Sequence, residues 1–421
     1  VVCVSALSKV TDLLYAIADA ASCGDAEGLE ARMYELRSRH LKLVCSLFSA
    51  DPEGCDRASS KVNEICDTLA AVVSSVTALG DVPDRIRAVI ISHGELLSST
   101  IICLALNSRG IRTGFVDART MIVTDSEYMC GEPQFDIINE RVPEVVGEAF
   151  ARGTAFISDG KAADGRSNEV VITQGFIAAN RQGAGTVLGR GGSDWSASII
   201  ASALDASRVE IWTDVDGMRT TDPRVCPETC RIPRISYEEA AQMARFGAKV
   251  LHPKTIAPAV ARNIPVLVLN SSNPSCEGTA VVPEEAPDGP RGIAFKRNVY
   301  LVRFSPKAEG DFMWCLEESR IEPDMVTSAG RQMMVTVDFS HNIGGFIRLV
   351  AGKTDILLKT GYSQLTVIGR GLLSLVPKLE DAVPQLRKNF GKMLNDSNIS
   401  YIVAADRLER IVREVHKYLF E

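Results

Sequence analysis

The stretch TVLGRGGSDWSASIIASALDASRVEIWTDVDG, residues 186–217, carries the decisive pattern of the 421-residue chain. Thr186-Val187-Leu188 reads as a short strand, Asp194 to Leu204 as a helix, and Val209 to Thr213 as a second strand. Between the first two lies Gly189-Arg190-Gly191-Gly192-Ser193-Asp194. Its three glycines permit a tight turn and a close approach to backbone amides. A helix opening at Ser193 or Asp194 turns its positive end to the same place, which favours an anion. Arg190 adds a planar fork suited to a carboxylate or phosphate. A flexible turn with a Ser/Asp helix cap accounts for the same residues, so both readings stand on this segment alone.

The pattern repeats outward. Upstream, Val1 to Val4 is strand-like, a helix starts at Thr11, and Glu27 to Phe48 has apolar residues at helical spacing. Asp51-Pro52-Glu53-Gly54 is expected to break that helix. Further helices are expected at Lys61 to Leu79 and Ser92 to Asn107, with strands at Thr113 to Asp117 and Asn168 to Phe176. Downstream, Ser236 to Phe246 opens with the capping box Ser236-Tyr237-Glu238-Glu239, and Pro265 to Leu269 is a strand. Alternating strands and helices, with continuous apolar strands, predict an α/β fold around a mostly parallel buried sheet. Val282 to Pro290, rich in proline and acidic residues, reads as a linker. Beyond it, strands at Val299 to Phe304, Met333 to Phe339, Leu365 to Ile368 and Ile399 to Val403 mix with helices at Gly344 to Ala351, Pro384 to Leu394 and Asp406 to Leu419. This is the texture of a small α+β region, two intertwined copies of one unit.

A net charge of −7 argues against a general nucleic-acid binder. No apolar run is expected to reach the roughly 18 residues of a membrane span, and Lys9, Asp12 and Asp19 break any leader-like pattern. The 11 cysteines show no framework spacing. They read as reduced thiols of a cytoplasmic protein, most of them buried. No metal-ligand spacing is present.

Three motifs mislead. Of Gly183, Gly185 and Gly189, the first two precede the strand Thr186 to Leu188, whereas a dinucleotide fingerprint follows its strand as a whole. Gly352-Lys353-Thr354 has Ile347 where a phosphate loop needs glycine. Asp214-Val215-Asp216-Gly217 has Val225 where a calcium loop needs glutamate. His93 reads as a structural hydrogen-bonding group. Polar residues do cluster where strands end: Trp212-Thr213-Asp214 closes one, and Thr221-Asp222-Pro223-Arg224 supplies another cation. Lys249 lies at the glycine-marked stop Phe246-Gly247-Ala248-Lys249-Val250-Leu251-His252-Pro253. Ser92-His93-Gly94-Glu95 is expected to open a helix with Glu95 in its first turn.

Taken in order, SHGE, GRGGSD, WTDVDG, TTDPR and FGAKVLHP resemble the aspartate kinases of the amino acid kinase family, and among them the monofunctional, lysine-sensitive type. The likeness runs from Val1, through the opening Val1-Ser5-Lys9-Thr11, to about Thr279, and more weakly to Leu419-Phe420-Glu421. It implies the amino acid kinase fold, a three-layer αβα sandwich with a mostly parallel central sheet, over residues 1–285. It implies a regulatory region of paired ACT-like domains over 286–421. The implied reaction transfers the γ-phosphoryl of ATP, with Mg2+, to the side-chain carboxylate of L-aspartate. That gives 4-phospho-L-aspartate, the first step toward lysine, threonine and methionine.

The resemblance also assigns residues. Aspartate would lie at Thr11, Glu95 and the loop Arg190, Gly191, Gly192 and Ser193, with Arg190 on its α-carboxylate and Glu95 on its α-ammonium. ATP would contact Thr213, Asp214, Arg224, Lys249 and Val250. Lys249 would neutralise the transferring phosphoryl, and Asp194 would orient positive groups around it. A lysine or threonine effector at the ACT-like region is implied, and so is a homodimer or dimer of dimers, with neither nucleic acid nor membrane as partner. The family's Lys-Phe-Gly-Gly front strand is not in this sequence, so residues are expected ahead of Val1. Arg219 stands where the family has an aromatic residue. In Asp324-Met325-Val326-Thr327-Ser328-Ala329-Gly330 only Asp324 matches the lysine-sensitive pattern. Two alternatives stay open: a catalytically impaired amino-acid sensor, and a kinase for another amino-acid carboxylate.

Overall fold

The computed structural model describes residues 1–77, 80–151, 167–248, 251–284, 287–305, 308–319, 321, 323–329, 332–338, 343–351, 353 and 356–421. Lys249, Val250, Gly330, Gly352 and Thr354 therefore lie outside the described residues. The chain divides into two units, residues 1–209 with 254–264, and residues 210–253 with 265–421.

The first unit opens with β1 (Val2–Val4), followed by four helices: α1 (Val10–Cys23), α2 (Ala26–Leu47), α3 (Pro52–Thr77) and α4 (Asp84–Ser108). Their apolar faces form one cluster that includes Leu14, Ile17, Leu36, Val62, Leu69 and Ile101. Asp51-Pro52-Glu53-Gly54 does end α2, but it also starts α3 nine residues before the expected point. The Asp51 carboxylate accepts from the Gly54 N–H at 2.9 Å, and proline is tolerated in a first helical turn. α4 likewise begins eight residues ahead of Ser92, just after Pro83. By length and composition α4 is apolar enough to cross a membrane, yet 72% of its most apolar stretch is buried inside the unit. It is a core helix, and the sequence reading missed its apolar character because Arg85, Arg87, His93 and Glu95 interrupt it.

After α4 come β2 (Thr113–Val116), β3 (Val123–Thr124), α5 (Phe135–Ala151), β4 (Val170–Gln174), β5 (Ile177–Asn180), β6 (Gly185–Val187) and α6 (Gly192–Ala203). β1, β4 and β2 form a parallel sheet in that order. β3 pairs parallel with β5, and β5 antiparallel with β6.

In the second unit, β7 (Val209–Thr213) ends the sheet β7-β9-β10-β8, made with β8 (Arg234–Ser236), β9 (Val266–Asn270) and β10 (Thr279–Val282). α7 (Tyr237–Arg245) follows β8 and carries the expected capping box, both of whose bonds form. α8 (Pro253–Ala261) lies almost wholly in the first unit. The segment expected as a linker is shorter than Val282 to Pro290, since Val282 ends β10 and Gly289 and Pro290 already belong to the long strand β11 (Gly289–Phe304).

The rest is α+β: α9 (Glu309–Glu318), β12 (Met325–Ala329), β13 (Gln332–Asp338), α10 (Ile343–Ala351), β14 (Ile356–Arg370), α11 (Val376–Ala382), β15 (Gly391–Leu394), β16 (Asn398–Ala404) and α12 (Leu408–Phe420). Its strands form one six-stranded sheet in the order β12-β13-β11-β14-β16-β15, antiparallel throughout the described residues. One core packs α9 and α10 through Phe304, Phe312 and Phe346; another packs α11 and α12 through Leu379, Tyr401 and Val412. Two interleaved copies thus share the long strands β11 and β14. The helix expected over Pro384 to Leu394 is not formed. Pro384–Lys388 is one 3-10 turn, Asn389 is extended, and Gly391–Leu394 pairs with β16 as an edge strand.

All 11 cysteines are free, and only Cys66, Cys103, Cys226 and Cys315 are buried. The expectation that most would be buried is therefore corrected: Cys23, Cys45, Cys130 and Cys230 are exposed.

Candidate functional site

In the first unit the residues gather at one sheet edge. β1, β4 and β2 are parallel, so their C-terminal ends lie together, where open α/β sheets bind ligands. The Gly175 N–H donates to the Val4 carbonyl at 2.9 Å as the strands run out. α4 crosses this edge. Its Ser98 hydroxyl donates to the Ser5 carbonyl at 2.8 Å, and Glu95 Oε1 accepts the Ala6 N–H at 3.2 Å. A methyl group on Gly94 would stand 2.8 Å from Ala6 Cβ and 3.3 Å from Val10 Cγ1. α4 therefore presses on the turn that opens α1, and Thr11 sits in the first turn of that helix. Lys9 makes this turn with a left-handed backbone, φ 62°.

The start of α6 reaches the same edge. A methyl on Gly175 would lie 2.7 Å from Ser193 Cβ, and one on Gly192 would lie 2.7 Å from Phe176 Cδ2. Gly189 and Gly191 have φ of 76° and 71°, which L side chains adopt only with strain. Phe176 also takes a left-handed φ, 66°. It is held there by the Ser196 hydroxyl, which accepts the Phe176 N–H at 3.0 Å and donates to the Gly192 carbonyl at 2.9 Å. Arg190 is exposed on this loop, and its guanidinium makes no hydrogen bond or ion pair with the described residues.

Glu95 is the electrostatic centre of the group. It is 3% exposed and lies in the interior of α4, which corrects the expected first-turn position. Burial pushes its carboxyl up to about 7, against the opposing pull of the Ala6 N–H. Its Oε2 has no hydrogen-bond partner among the described residues. A buried acceptor in that condition suits an incoming ammonium donor. Burial also raises the Asp194 carboxyl, in the first turn of α6. His93 is buried, with Nδ1 2.8 Å from the Val89 carbonyl, the structural role read from sequence.

In the second unit β7 ends at Thr213, whose carbonyl accepts the Ser271 N–H at 2.9 Å and the Ser271 hydroxyl at 3.0 Å. The Thr213 hydroxyl donates to Asp214 Oδ1 at 3.2 Å, and Asp214 is exposed. Asp216 accepts from the Asn270 and Asn273 amides at 2.8 and 3.2 Å, which hold its carboxyl below the usual range. Gly217 has φ 109°, and Met218 N–H donates to the Thr279 hydroxyl at 2.8 Å. Arg224 forks onto Asp222, with Nε–Oδ1 3.0 Å and NH2–Oδ2 2.7 Å, which lowers the Asp222 carboxyl. Arg224 remains 79% exposed. Gly247, at the stop of α7, has φ 121°, and a methyl there would come 2.2 Å from the Phe295 carbonyl oxygen. The backbone leading toward Lys249 thus requires glycine at position 247.

Of the sequence-predicted residues, Thr11, Glu95, Arg190 to Ser193 and Asp194 share the sheet edge of the first unit. Thr213, Asp214 and Arg224 belong to the second unit. Sequence reasoning missed Phe176, Ser196 and Asp216. No local signal marks Phe176, whose backbone is held from Ser196, and Asp216 entered only through the rejected calcium loop and the WTDVDG motif. A cavity of about 520 Å³ in the first unit, lined by Arg85, Ser92, Asp117, Arg119 and Thr120, contains none of the predicted residues. Among the described residues, no three His, Cys, Asp or Glu side chains form a metal cluster.

Residues 1–270 match the family described as the amino acid kinase family. Over its full length the chain is 29% identical to the lysine-sensitive aspartokinase 3 of Escherichia coli K12, covering 92% of that protein. It is 32% identical to the chloroplastic bifunctional aspartokinase/homoserine dehydrogenase 1 of Zea mays, over 68% of this chain, and spans only 29% of that protein's length. The crystal structure of E. coli aspartokinase III in complex with aspartate and ADP superposes with a TM-score of 0.80 at 26% identity, covering 100% of this chain and 92% of the other.

Proposed function

The chain belongs to the amino acid kinase family, and on that premise we propose that it is an aspartate kinase, transferring the γ-phosphoryl of ATP to the side-chain carboxylate of L-aspartate. The reading rests above all on one observation: a buried carboxylate, Glu95, with an unfilled oxygen at the sheet edge where the Arg190 loop begins α6. Glu95 takes the α-ammonium of the acceptor and Arg190 its α-carboxylate. Thr11 and the amides of Gly191, Gly192 and Ser193 complete the acceptor's surroundings.

The chemistry needs charge neutralisation rather than a base. A side-chain carboxyl with a pKa of about 3.9 is already an anion at neutral pH. The barrier is the approach of two anions, so catalysis is positioning plus positive charge. Thr213, Asp214 and Arg224, with Lys249 and Val250, serve ATP. Arg224 is held ready by its fork on Asp222. Lys249 neutralises the transferring phosphoryl, and Asp194 orients the positive groups. Mg2+, when bound, screens charge on the phosphates. The Asp194 carboxylate fits it, being a hard oxygen donor that burial alone disfavours as an anion and a cation would stabilise. By the same family argument, residues 1–285 are the catalytic domain and 286–421 the regulatory region. That region carries an amino-acid effector, lysine or threonine, and pairs two chains into a homodimer or dimer of dimers. The free thiols support a reducing, cytoplasmic setting.

A coupled ADP-release assay with aspartate, glutamate and N-acetylglutamate as acceptors tests the assignment. Aspartate alone should sustain turnover; preference for another acceptor, or none at all, would reject it. Titration with lysine, threonine and methionine tests the effector reading, which fails if none changes the rate.

A further inference from the structure

Residues 218–232, which carry Asp222 and Arg224, are fastened by a helix nearly two hundred positions later in the chain. His416 on α12 is fully buried, and its Nε2 lies 2.9 Å from the Thr220 hydroxyl. That hydroxyl also accepts the Cys230 N–H at 3.0 Å. Its single proton is therefore free to point at His416 Nε2, while Nδ1, 3.7 Å from Glu421 Oε1, makes no hydrogen bond with the described residues. One turn earlier, Arg413 Nε donates to the Val225 carbonyl at 2.7 Å. The Val225 side chain is buried in the same apolar cluster as Leu408, Ile411, Val412 and Val415 of α12.

The fastening reaches the fork directly. Val225 and Cys226 both donate their N–H groups to the Asp222 carbonyl, at 3.0 and 3.1 Å. The same Asp222 holds Arg224 through three side-chain contacts of 2.7 to 3.2 Å. A shift of Val225 must therefore move Asp222, and with it the guanidinium. Arg297 of β11 adds a further tie, since it pairs with Glu409 of α12 at 2.8 Å and its charge also acts on Asp222. None of these α12 groups belongs to the set assigned to ATP or aspartate. All of them act through the segment.

We propose that His416 and Arg413 are positioning residues for nucleotide binding: α12 sets the place of Arg224 by clamping residues 218–232 at Thr220 and Val225. The inference rests on the assignment of Arg224 to ATP. It makes α12 a point through which any change in the α+β region alters ATP affinity rather than aspartate affinity.

Isothermal titration of Mg-ATP into the full chain tests it, with His416→Ala, His416→Gln, Arg413→Ala and, as a control on the exposed side of the same helix, Tyr418→Ala. The dissociation constant should rise about tenfold in His416→Ala and Arg413→Ala, as loss of a supporting partner does elsewhere. It should return to within about threefold of the unaltered chain in His416→Gln, whose amide can still bond Thr220. Tyr418→Ala should leave it unchanged, and KM for aspartate should stay within about twofold throughout. Unchanged ATP affinity, or an equal weakening for ATP and aspartate, would overturn the proposal, because general loosening affects both. Should His416→Ala fail to fold, Arg413→Ala decides the matter. If the unaltered chain binds ATP but shows no aspartate-dependent turnover, the aspartate kinase reading fails while the titration still judges the clamp. A chain that binds no ATP overturns both.

Discussion

Replacing Glu95 by glutamine should make the unliganded protein more stable and at the same time disable it. Burial raises the Glu95 carboxyl from an ordinary 4.5 to about 7. A gap of roughly 2.5 units at about 1.4 kcal/mol each is about 3 kcal/mol of linked free energy. The sign follows from the direction. A carboxyl raised in the folded state favours folding while protonated, so its contribution is full below the unfolded value near 4.5. That contribution is lost as pH rises through 7. The wild-type chain should thus weaken by about 3 kcal/mol between pH 4.5 and 8.5 on account of this group, and Glu95→Gln should not. Urea unfolding at pH 5, 7 and 8.5 without aspartate should show near-equal stabilities at pH 5 and a variant advantage approaching about 3 kcal/mol at pH 8.5. The same variant should lose aspartate affinity by about 100-fold or more, because a neutral amide offers the ammonium no opposite charge. An offset that does not change with pH, or a variant that binds aspartate normally, would refute the reasoning.

Arg190→Ala should raise KM for aspartate by about 10- to 100-fold and leave KM for ATP nearly unaltered, as steady-state kinetics with each substrate varied will show. Lys249→Ala should cut turnover by about 100- to 1,000-fold with an unchanged circular dichroism spectrum; near wild-type turnover would remove it from catalysis. Gly192→Ala would place a methyl 2.7 Å from Phe176 Cδ2 and 3.2 Å from Phe176 Cα. It should destabilise by about 1–3 kcal/mol and abolish aspartate-dependent turnover, read by thermal melting and ADP release. Burial lowers the pKa of His40, whose Nδ1 lies 2.7 Å from the Leu36 carbonyl. The protein should therefore lose stability as pH falls below about 6.5, and His40→Gln should flatten that loss in unfolding curves.

Much of this was readable where local chemistry and tertiary structure agree. α2 was expected from Glu27 by its helical spacing, and it starts one residue earlier, capped by the Asp25 carboxylate, which accepts the Gly28 N–H at 2.9 Å. Ser236 and Glu239 form the box their spacing announces. The Arg190 loop was legible because its glycines serve backbone geometry that only glycine adopts without strain. Glu95 was expected in a first helical turn and lies instead in the interior of α4. The polar Ser92-His93-Gly94 looks like a helix start, yet Ser92 and His93 satisfy themselves on the Val89 carbonyl inside the helix. Pro143 within α5 obscured a 17-residue helix that no expectation covered. Over Pro384 to Leu394, helical composition yielded to the free edge of β16, which pairs with Gly391–Leu394. Phe176 was invisible for a different reason. Its strained backbone is imposed by Ser196, twenty positions on, and leaves no mark in local composition.

Hydroxylamine trapping during turnover tests the central claim most directly, because it reads the bond that is made. With ATP, magnesium and aspartate, the account predicts the β-hydroxamate of aspartate in step with ADP, and both products about 100-fold lower in Glu95→Gln at sub-saturating aspartate. ADP formed at the same rate without aspartate, or formed with no hydroxamate, would contradict it.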